Sequence, residues 1–406
     1  MRIFLLGIFI VSFLFSRNDV TEKVEILGNP YSIIYKSGEF IYARNIWDMQ
    51  VFNGKLYIGS GNSNNFGPAP NAGRVPIISY NPISDKFTTE YTVAEEQVDC
   101  FRILDDKLYI PGHDATQKWD FGNFYTRTKE GKWNKYRTIP NALHVYDITK
   151  YNNKLFVALG LNTVSAVGLS GDNGHNWNIQ QMGLSYSRVY SFLKVSNNLY
   201  ACKSFSPKWH RNKYWSKKRK KNYYSVGEYD GIFFKERYDL DSNRLFPNTY
   251  LDFKKTKKII RSESLKNKAI YLGAYIHNNS HQGIPFGAYI ATSLEKNKVN
   301  IQKVNLPKGY KPWDIIVRYK DVYILCYSLI SFRISVMHAH IDNLIDWNEL
   351  FYFKSISFAR SFELLDGDFY FGIGSEIDNY KNWKQDELAP DTGNILRVKK
   401  ESYITQ

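Results

Sequence analysis

The stretch VFNGKLYIGSGN, residues 51–62, reads as a strand, a tight Asn-Gly turn and a second strand that ends in glycine. The same pattern recurs at ILDDKLYIPGHD (103–114), KYNNKLFVALG (150–160), VSNNLYACK (195–203), LKNKAIYLGAY (265–275), RYKDVYILCY (318–327) and LLDGDFYFGIG (365–374). One aromatic residue in each second strand serves as a reference: Tyr57, Tyr109, Phe156, Tyr200, Tyr271, Tyr323 and Tyr370. The chain is therefore built from seven copies of one hairpin unit.

The spacing of these copies predicts the architecture. Successive reference residues are 52, 47, 44, 71, 52 and 47 residues apart, close to the roughly 40–50 residues of a four-stranded propeller blade. Between them, polar turns flanked by strand-like residues recur at 80–87, 128–136, 170–178, 228–234, 293–301 and 340–348, and we interpret these as outer hairpins. With no helical periodicity, the pattern predicts an all-β fold, a seven-bladed β-propeller of four-stranded antiparallel blades over residues 23–402.

The last copy is followed by only one further strand, within TGNILRVKK (392–400). Its blade then lacks a fourth strand, and an open blade would expose an unpaired edge. We expect the N-terminal segment around residues 23–35 to supply this strand and close the ring.

The N-terminus MRIFLLGIFIVSFLFS carries one positive charge followed by an apolar run of about 14 residues, too short to cross a bilayer as a helix. This pattern predicts a signal peptide at residues 1–16, and hence a secreted or periplasmic protein with no transmembrane span in the mature chain. An uncleaved N-terminal anchor is the alternative. Only three cysteines are present, an odd number, which argues against a disulfide framework.

The formal net charge is +15, and much of it is local. Residues 207–224 contain eight Lys or Arg interleaved with Trp and Tyr, and they fall in the one long interval between repeats. We interpret residues 205–224 as a basic aromatic insertion within the fourth blade. Such a segment attracts polyanions, an acidic polysaccharide above all, while export argues against nucleic acid. The alternative is a solvated loop that binds nothing specific.

The turn SGDNGHNW, Ser170 to Trp177, resembles the Asp box, S-x-D-x-G-x-x-W, that recurs in sialidases and many other propellers. The expected role is structural: Asp172 accepts hydrogen bonds from turn amides, Gly174 supplies a positive φ and Trp177 packs under the hairpin. FRIL (101–104) resembles the arginine motif of sialidases, but it lies in an inner strand where Phe101 and Ile103 are expected to pack. No Tyr/Glu nucleophile pair can be placed with it, so sialidase activity is not inferred.

Other propeller families share the architecture without the motifs, since no kelch or WD signature recurs in register. The chain resembles secreted seven-bladed ulvan lyases, which use His, Tyr and Arg, in its architecture and residue types but in no matched motif. That resemblance implies cleavage of an anionic polysaccharide by β-elimination.

Propellers place function at one mouth of the central channel, so we expect a site near the start of the inner strands. Ten residues before each reference stand Trp47, Asp99, Tyr146, Tyr190, Arg261, Trp313 and Arg360. Twelve before stand Asn45, Gln97, His144, Arg188, Ile259, Lys311 and Phe358, and all residues eleven before are apolar. Because side chains alternate with period two, the first two sets are expected to share one face. The alternative is that these residues only brace neighbouring blades.

The residue types at this rim suit an anionic glycan, because aromatic rings stack on sugars and cations bind carboxylate or sulfate. We expect His144, Tyr190 and His113 to act as acid and base with Arg261 or Arg188 as the neutralising cation, and the substrate-binding set to be Trp47, Tyr146, Arg188, Lys311, Trp313 and Arg360. A non-catalytic glycan- or protein-binding propeller at the cell envelope is the alternative.

Other chemistries find less support in the sequence. Asp48, Asp147 and Asp314 stand nine before their references, on the face opposite to the predicted ring, and we interpret them as turn or blade-locking acids rather than glycosidase carboxylates. No metal-ligand spacing repeats and no nucleotide-binding loop is present, so no cofactor is expected.

Overall fold

The computed structural model describes residues 18–36, 38–64, 71–161, 164–185, 187–204, 226–249, 251, 255–276, 283–376 and 388–404. The predicted signal peptide (1–16) and the predicted basic insertion (205–224) lie outside these residues. Within them, no helix has the length and apolar character needed to cross a membrane.

The described ranges form seven four-stranded antiparallel sheets with one short α-helix, α1 (Ser242–Leu245), which confirms the all-β, seven-bladed β-propeller. The first three blades are β2 (Asp48–Phe52), β3 (Lys55–Gly59), β4 (Pro76–Asn81), β5 (Lys86–Thr92); β6 (Arg102–Leu104), β7 (Lys107–Pro111), β8 (Phe121–Arg127), β9 (Trp133–Pro140); and β10 (His144–Tyr151), β11 (Lys154–Leu161), β12 (Val164–Ser170), β13 (Asn178–Ser185). The next three are β14 (Val189–Val195), β15 (Asn198–Lys203), β16 (Val226–Tyr229), β17 (Phe234–Arg237); β18 (Lys257–Leu265), β19 (Lys268–Ile276), β20 (Gly283–Ser293), β21 (Asn300–Lys303); and β22 (Tyr310–Arg318), β23 (Asp321–Ser328), β24 (Arg333–His340), β25 (Asn343–Lys354). The seventh comprises β26 (Ala359–Leu365), β27 (Asp368–Ile373), β28 (Ile395–Val398) and β1 (Val24–Gly28), and 3₁₀ turns occupy Thr21–Lys23, Gly38–Arg44 and Lys400–Ser402.

The repeated inner hairpin owes its tight turn to residues that accept positive φ. In the first blade these are Asn53 (φ 50°) and Gly54 (φ 71°), which join β2 to β3. Positive φ at both central residues gives a turn whose twist matches that of paired strands, and Asn and Gly tolerate it best. Asn, Asp or Gly also occupies the positive-φ position of the inner turn in the second, third, fourth and seventh blades, where it favours the same hairpin register.

The seventh blade is closed by the first strand of the chain. Its strand order is β1-β28-β27-β26, and β1 pairs antiparallel with β28, with Val24 opposite Val398. Tyr31, which follows β1, is fully buried and donates its hydroxyl to the carbonyl oxygens of Ile58 (2.8 Å) and Pro76 (3.1 Å) in the first blade. The predicted closure by the N-terminal segment is thus confirmed, and the segment also ties the seventh blade to the first.

The turn that resembles the Asp box joins β12 to β13. Asp172 Oδ1 accepts the backbone N–H groups of His175 (3.1 Å) and Asn176 (2.9 Å), and Gly174 has φ +88°. The Trp177 indole N–H donates to Thr138 Oγ1 (3.0 Å) in the preceding blade. These hydrogen bonds favour the ionised carboxylate and lower the pKa of Asp172, first of all the bond from Asn176. The turn's contacts serve packing and lie on the outer hairpin, away from the channel.

Candidate functional site

Five inner strands carry a β-bulge at the same level. In β10, β14, β18, β22 and β26 the pairing register skips one residue. The skipped residues, which have no paired residue on the neighbouring strand, are Tyr146, Tyr190, Ile260, Trp313 and Arg360. A bulge re-aims the extra side chain and breaks the period-two alternation. We call these residues, with Trp47 and Asp99 of the first two blades, the bulge level.

The fifth blade shifts the sequence alignment by one residue. Lys268 pairs with Leu265 at its turn, as Lys154 pairs with Tyr151 in the third blade, so the counterpart of Phe156 is Ile270 and not Tyr271. The bulge level of this blade is accordingly Ile260. Arg261 lies one position further along, where other blades carry Asp48, Asp147 or Asp314.

All seven bulge-level residues line one cavity of about 180 Å³ in the central channel. Asp48, Asp147 and Asp314 line it too, so the expectation that they face away from the aromatic ring is wrong. In the third and sixth blades the bulge is the physical reason, because it turns two successive side chains towards the same space. In the first blade, Asp48 is the first residue of β2 and Trp47 precedes the strand, so strand alternation does not govern this pair. With Ile270 as the reference residue of the fifth blade, the position twelve residues before the reference is Lys258 in that blade. Lys258 is the one residue of this set that lines the cavity, whereas His144, Arg188 and Lys311 do not.

The three aspartates lock neighbouring blades together, as predicted. Each carboxylate accepts a backbone N–H from the inner segment of the next blade: Asp48 from Phe101 (2.7 Å), Asp147 from Phe192 (3.1 Å) and Asp314 from Phe362 (3.1 Å). Burial raises the pKa of Asp314 to about 7, against the opposing effect of Arg261.

Arg261 is the cation at the centre of this arrangement. Its Nε donates to Asp314 Oδ1 (3.1 Å), its Nη2 lies 3.7 Å from Asp48 Oδ1, and its Nη1 donates to the Asp99 carbonyl oxygen (3.2 Å). Burial lowers the pKa of Arg261, but the two carboxylates outweigh it and leave the pKa above the ordinary value. The guanidinium therefore ties the fifth blade to the first, second and sixth, and is engaged with protein groups.

Deeper in the channel, Arg102 occupies the middle of the FRIL motif. Its Nε donates to Asp147 Oδ1 (2.9 Å) and its Nη1 to Glu263 Oε1 (3.3 Å). Phe101 is buried as expected, whereas Ile103, which was expected to pack, is 44% exposed. The arginine of this motif thus belongs to an ion-pair network across the channel.

One side of the cavity gathers groups that can move protons, which we call the His113 cluster: His113, Asp99, Tyr146, Tyr190 and Lys258. His113 Nδ1 lies 3.1 Å from Asp99 Oδ2, an ion pair whose geometry falls short of an aligned hydrogen bond. The His113 ring meets the Tyr146 ring edge-on at 5.2 Å, and the Tyr146 and Tyr190 rings are 4.5 Å apart. Lys258 Nζ lies 4.5 Å from the centre of the Tyr190 ring.

The pKa shifts in this cluster follow from burial and charge. Burial lowers the pKa of His113, but the Asp99 carboxylate more than offsets this and leaves it above the ordinary value. Burial raises the pKa of Asp99, but His113 outweighs it and leaves it lowered. Burial raises the pKa of Tyr190, which keeps its hydroxyl protonated. Burial lowers the pKa of Lys258, against the effect of Asp99.

His144 lies behind the cluster rather than in the cavity. Its Nδ1 is 3.0 Å from the His113 carbonyl oxygen, and its ring stacks on Tyr146 at 5.4 Å. A carbonyl oxygen only accepts, so Nδ1 carries a proton and donates it. Burial, followed by the charges of His113 and Arg188, lowers the pKa of His144 to about 3. Arg188 approaches Tyr146, where it acts to lower the pKa that burial raises.

The remaining predicted binding residues form a second group. Arg360 lies over the Trp47 ring at 4.1 Å, donates to Glu376 Oε1 (2.8 Å), and is itself buried. Trp313 is buried and stacks on Phe358 at 4.1 Å. These contacts brace the blades on either side of the ring closure. Lys311 is the second residue of β22, at the start of the inner strand of the sixth blade.

Two members of the His113 cluster were not nominated from the sequence. Asp99 was among the residues that stand ten before each reference, but nothing in the sequence indicated that it would face His113. Lys258 was missed because the fifth blade was aligned one residue too far along. With Ile270 as the reference, Lys258 stands twelve residues before it, and this position would have indicated the lysine. Within the described ranges, no group of three or more His, Cys, Asp or Glu side chains could hold a metal ion.

The pH dependence of stability provides a test of the Asp99–His113 pair. The pKa of His113 is raised above 6.5, so the pair's contribution is full below pH 6.5 and is lost as pH rises through the raised pKa. The pKa of Asp99 is lowered below 3.8, so the contribution is lost as pH falls through that lowered pKa. We expect Asp99→Asn to destabilise the protein most between pH 3.8 and pH 6.5, measured by urea unfolding across pH. A stability difference that does not vary with pH would contradict the pairing.

Comparison with known proteins does not assign the chain to a family. No protein-family model matches the sequence, and no curated protein matches it either. Among solved structures, a chain from the mitotic checkpoint complex is 9% identical, with a TM-score of 0.48 and 98% of both chains covered. Hydrazine synthase from Kuenenia stuttgartiensis is 10% identical, with a TM-score of 0.46, covering 83% of this chain and 93% of that one. The GH74 xyloglucanase from Xanthomonas campestris is 8% identical, with a TM-score of 0.49, covering 92% of this chain and 55% of that one.

Proposed function

We propose that the protein is an exported polysaccharide lyase that binds an anionic, uronate-containing glycan at the channel mouth and cleaves it by β-elimination. The observation that carries the proposal is the His113 cluster: an imidazole paired with a carboxylate, two tyrosine hydroxyls and a lysine around one cavity. The reaction needs these residue types. They lie on the second, third and fourth blades, with the lysine on the fifth.

The base in this proposal is His113. A general base works best when its pKa lies near the operating pH, and it needs a third group to orient it. Asp99 lies against Nδ1 (3.1 Å), which leaves Nε2 as the atom for proton transfer, and it raises the pKa of the ring. His144, with its pKa lowered to about 3, is a much weaker base.

The acid and the neutralising cation come from the neighbouring blades. Tyr190 keeps its proton, since burial raises its pKa, and suits donation to the leaving oxygen. Lys258, beside the Tyr190 ring at 4.5 Å, would pair with the uronate carboxylate and stabilise the charge that develops as the proton leaves. Arg261 is less suited to this role because it is bonded to Asp314 and the Asp99 carbonyl oxygen.

The reaction is balanced by these groups alone. His113 takes the proton from the carbon next to the carboxylate, a C=C bond forms, and the C–O bond to the leaving sugar breaks. Tyr190 supplies the proton that the leaving oxygen acquires. The new chain end is an unsaturated uronate, which absorbs in the ultraviolet.

The test is product absorbance on a panel of uronate polymers. We expect His113→Asn to lower turnover about a hundredfold or more, the lower end of what general acid–base catalysis contributes. His340→Asn, on the outer hairpin of the sixth blade, is the matched control and should leave turnover unchanged. If His144→Asn removed turnover while His113→Asn kept it, the assignment of the base would be wrong; if no polymer gave product, the lyase proposal itself would fall.

A non-catalytic glycan-binding propeller is the second candidate, and one observation favours it. The cavity of about 180 Å³ is smaller than the roughly 300–1,000 Å³ of most small-molecule sites, and its charges are largely paired with one another. In that case, binding of the polymer would occur without product and would survive His113→Asn.

A further inference from the structure

A group of apolar side chains protrudes from the sixth blade at the mouth end of the ring. Leu329, Ile330, Phe332 and Ile356 are 58%, 77%, 54% and 73% exposed. The first three lie in the turn from β23 to β24, and Ile356 lies in the connection from β25 to β26. We call these four residues the apolar tip. Large apolar side chains gathered in exposed loops mark an interaction site more often than scattered ones do.

The two loops are held next to each other. The Phe332 carbonyl oxygen accepts the Ser355 N–H (2.9 Å), and the Tyr327 hydroxyl donates to the Ile356 carbonyl oxygen (3.1 Å). Ile330 lies over Gly309, where an added Cβ atom would come within 2.8 Å of Ile330 Cδ1. The tip is therefore one surface on a fixed backbone.

Basic residues surround the apolar tip. The three loop segments that form it, residues 305–312, 328–334 and 353–358, contain Lys308, Lys311, Lys354 and Arg333 and no Asp or Glu. The guanidinium of Arg333 lies over the Tyr352 ring at 3.9 Å. Among the described residues, Asp391 accepts the Ser357 hydroxyl at 2.5 Å, Glu349 accepts the Tyr310 hydroxyl at 3.3 Å, and Lys354 is close enough to Asp19 to help lower the pKa of that carboxyl. These three acids do not outnumber the four basic residues. The surface thus combines exposed apolar groups with a net positive rim.

We propose that the apolar tip docks the protein on an anionic lipid surface. Apolar side chains inserted among the head groups and lysines paired with lipid phosphates are the two attractions that hold peripheral proteins on membranes. Protruding loop ends suit insertion, and the positive rim is complementary to anionic lipid. Because β22 begins at this same end, docking turns the channel mouth towards the membrane.

The experiment is co-sedimentation of the full chain with vesicles of phosphatidylcholine, with and without phosphatidylglycerol. We expect binding to the anionic vesicles that weakens with salt. Ile330→Ser combined with Phe332→Ser should reduce partitioning by about tenfold or more, because two inserted side chains are lost. Lys308→Gln combined with Lys354→Gln should reduce the dependence on anionic lipid.

Ile83→Ser and Tyr319→Ser are the matched controls. Both residues are highly exposed, in turns at the opposite end of the strands, and their loss should not change vesicle binding. If the serine variant of the tip bound as well as the wild type, as expected if residues 205–224 hold the vesicles, the proposal would be overturned. Absence of wild-type binding would overturn it too, and a dimer that the serine variant dissociates in light scattering would instead identify a self-association surface.

Discussion

Replacing Arg261 by methionine is expected to lower the free energy of unfolding by about 3–5 kcal/mol, the usual cost of removing one partner of a buried ion pair. The guanidinium faces Asp314 at 3.1 Å and Asp48 at 3.7 Å, and both carboxylates lie inside the channel. Without it, Asp48 and Asp314 lose the cation between them, and each must stay charged in a buried site or take up a proton at a cost in folding free energy. Urea unfolding of the wild type and the variant at neutral pH measures the loss.

The origin of that loss can be separated from simple loss of packing. Adding Asp314→Asn to the Arg261→Met variant should recover part of the stability, because one uncompensated charge is removed. The variant should also recover stability as the pH falls, since burial raises the pKa of Asp48 and Asp314 and the folded state then binds more protons than the unfolded state. Arg137→Met, which breaks a surface pair with the exposed Asp120, is the control and should cost much less stability than Arg261→Met. An equal loss for both variants would contradict the argument.

Removal of the N-terminal strand is expected to abolish cooperative folding. A chain that starts at Tyr35 lacks β1, exposes the edge of β28, and loses the Glu25–Arg397 ion pair (2.8 Å). It also loses Tyr31, and truncation of a large buried aromatic residue alone costs about 3–5 kcal/mol. The sum approaches the roughly 5–15 kcal/mol by which ordinary domains are stable.

Thermal unfolding followed by circular dichroism measures the effect, with a chain that starts at residue 18 as the control because it removes only the predicted signal peptide and the residue after it. A synthetic peptide of residues 18–34 added to the truncated chain should restore part of the transition by re-forming the pair with β28. If the truncated chain melted like the control, closure by β1 would have little energetic role.

The fold was predictable because its signal is repeated. The turn at Asn53–Gly54 and its counterparts each hold a residue at positive φ, which is Asn, Asp or Gly in five of the seven copies and Lys266 or Tyr319 in the other two. The turns recur at a spacing that fixes the number of blades. The closing strand was predictable from the number of strands, because the last blade had only three strands at the C-terminal end of the repeats. Nothing comparable in the sequence marks the bulge, because Tyr146, Trp313 and Arg360 share a position but no residue type.

The site was therefore predictable in part. The level of the channel lining was found correctly in six blades, because alternation holds from the turn up to the bulge. Beyond the bulge the alternation fails, so the residues twelve before each reference, including His144 and Lys311, were placed on the channel face without lining the cavity. In the fifth blade an aromatic residue, Tyr271, stands next to the true counterpart Ile270, and this single offset hid Lys258 and assigned Arg261 to the wrong level.

The pairing of the first strand with the last also constrains how the molecule is made. Val24 and Val398 are neighbours in the seventh sheet although 398 − 24 = 374 residues separate them along the chain. During synthesis from the N-terminus, β1 has no partner until β28 (Ile395–Val398) has been made, and contacts this distant in sequence form slowly. Until that pairing forms, β1 and the seventh blade each present an unpaired strand edge, which favours aggregation of the unfinished chain.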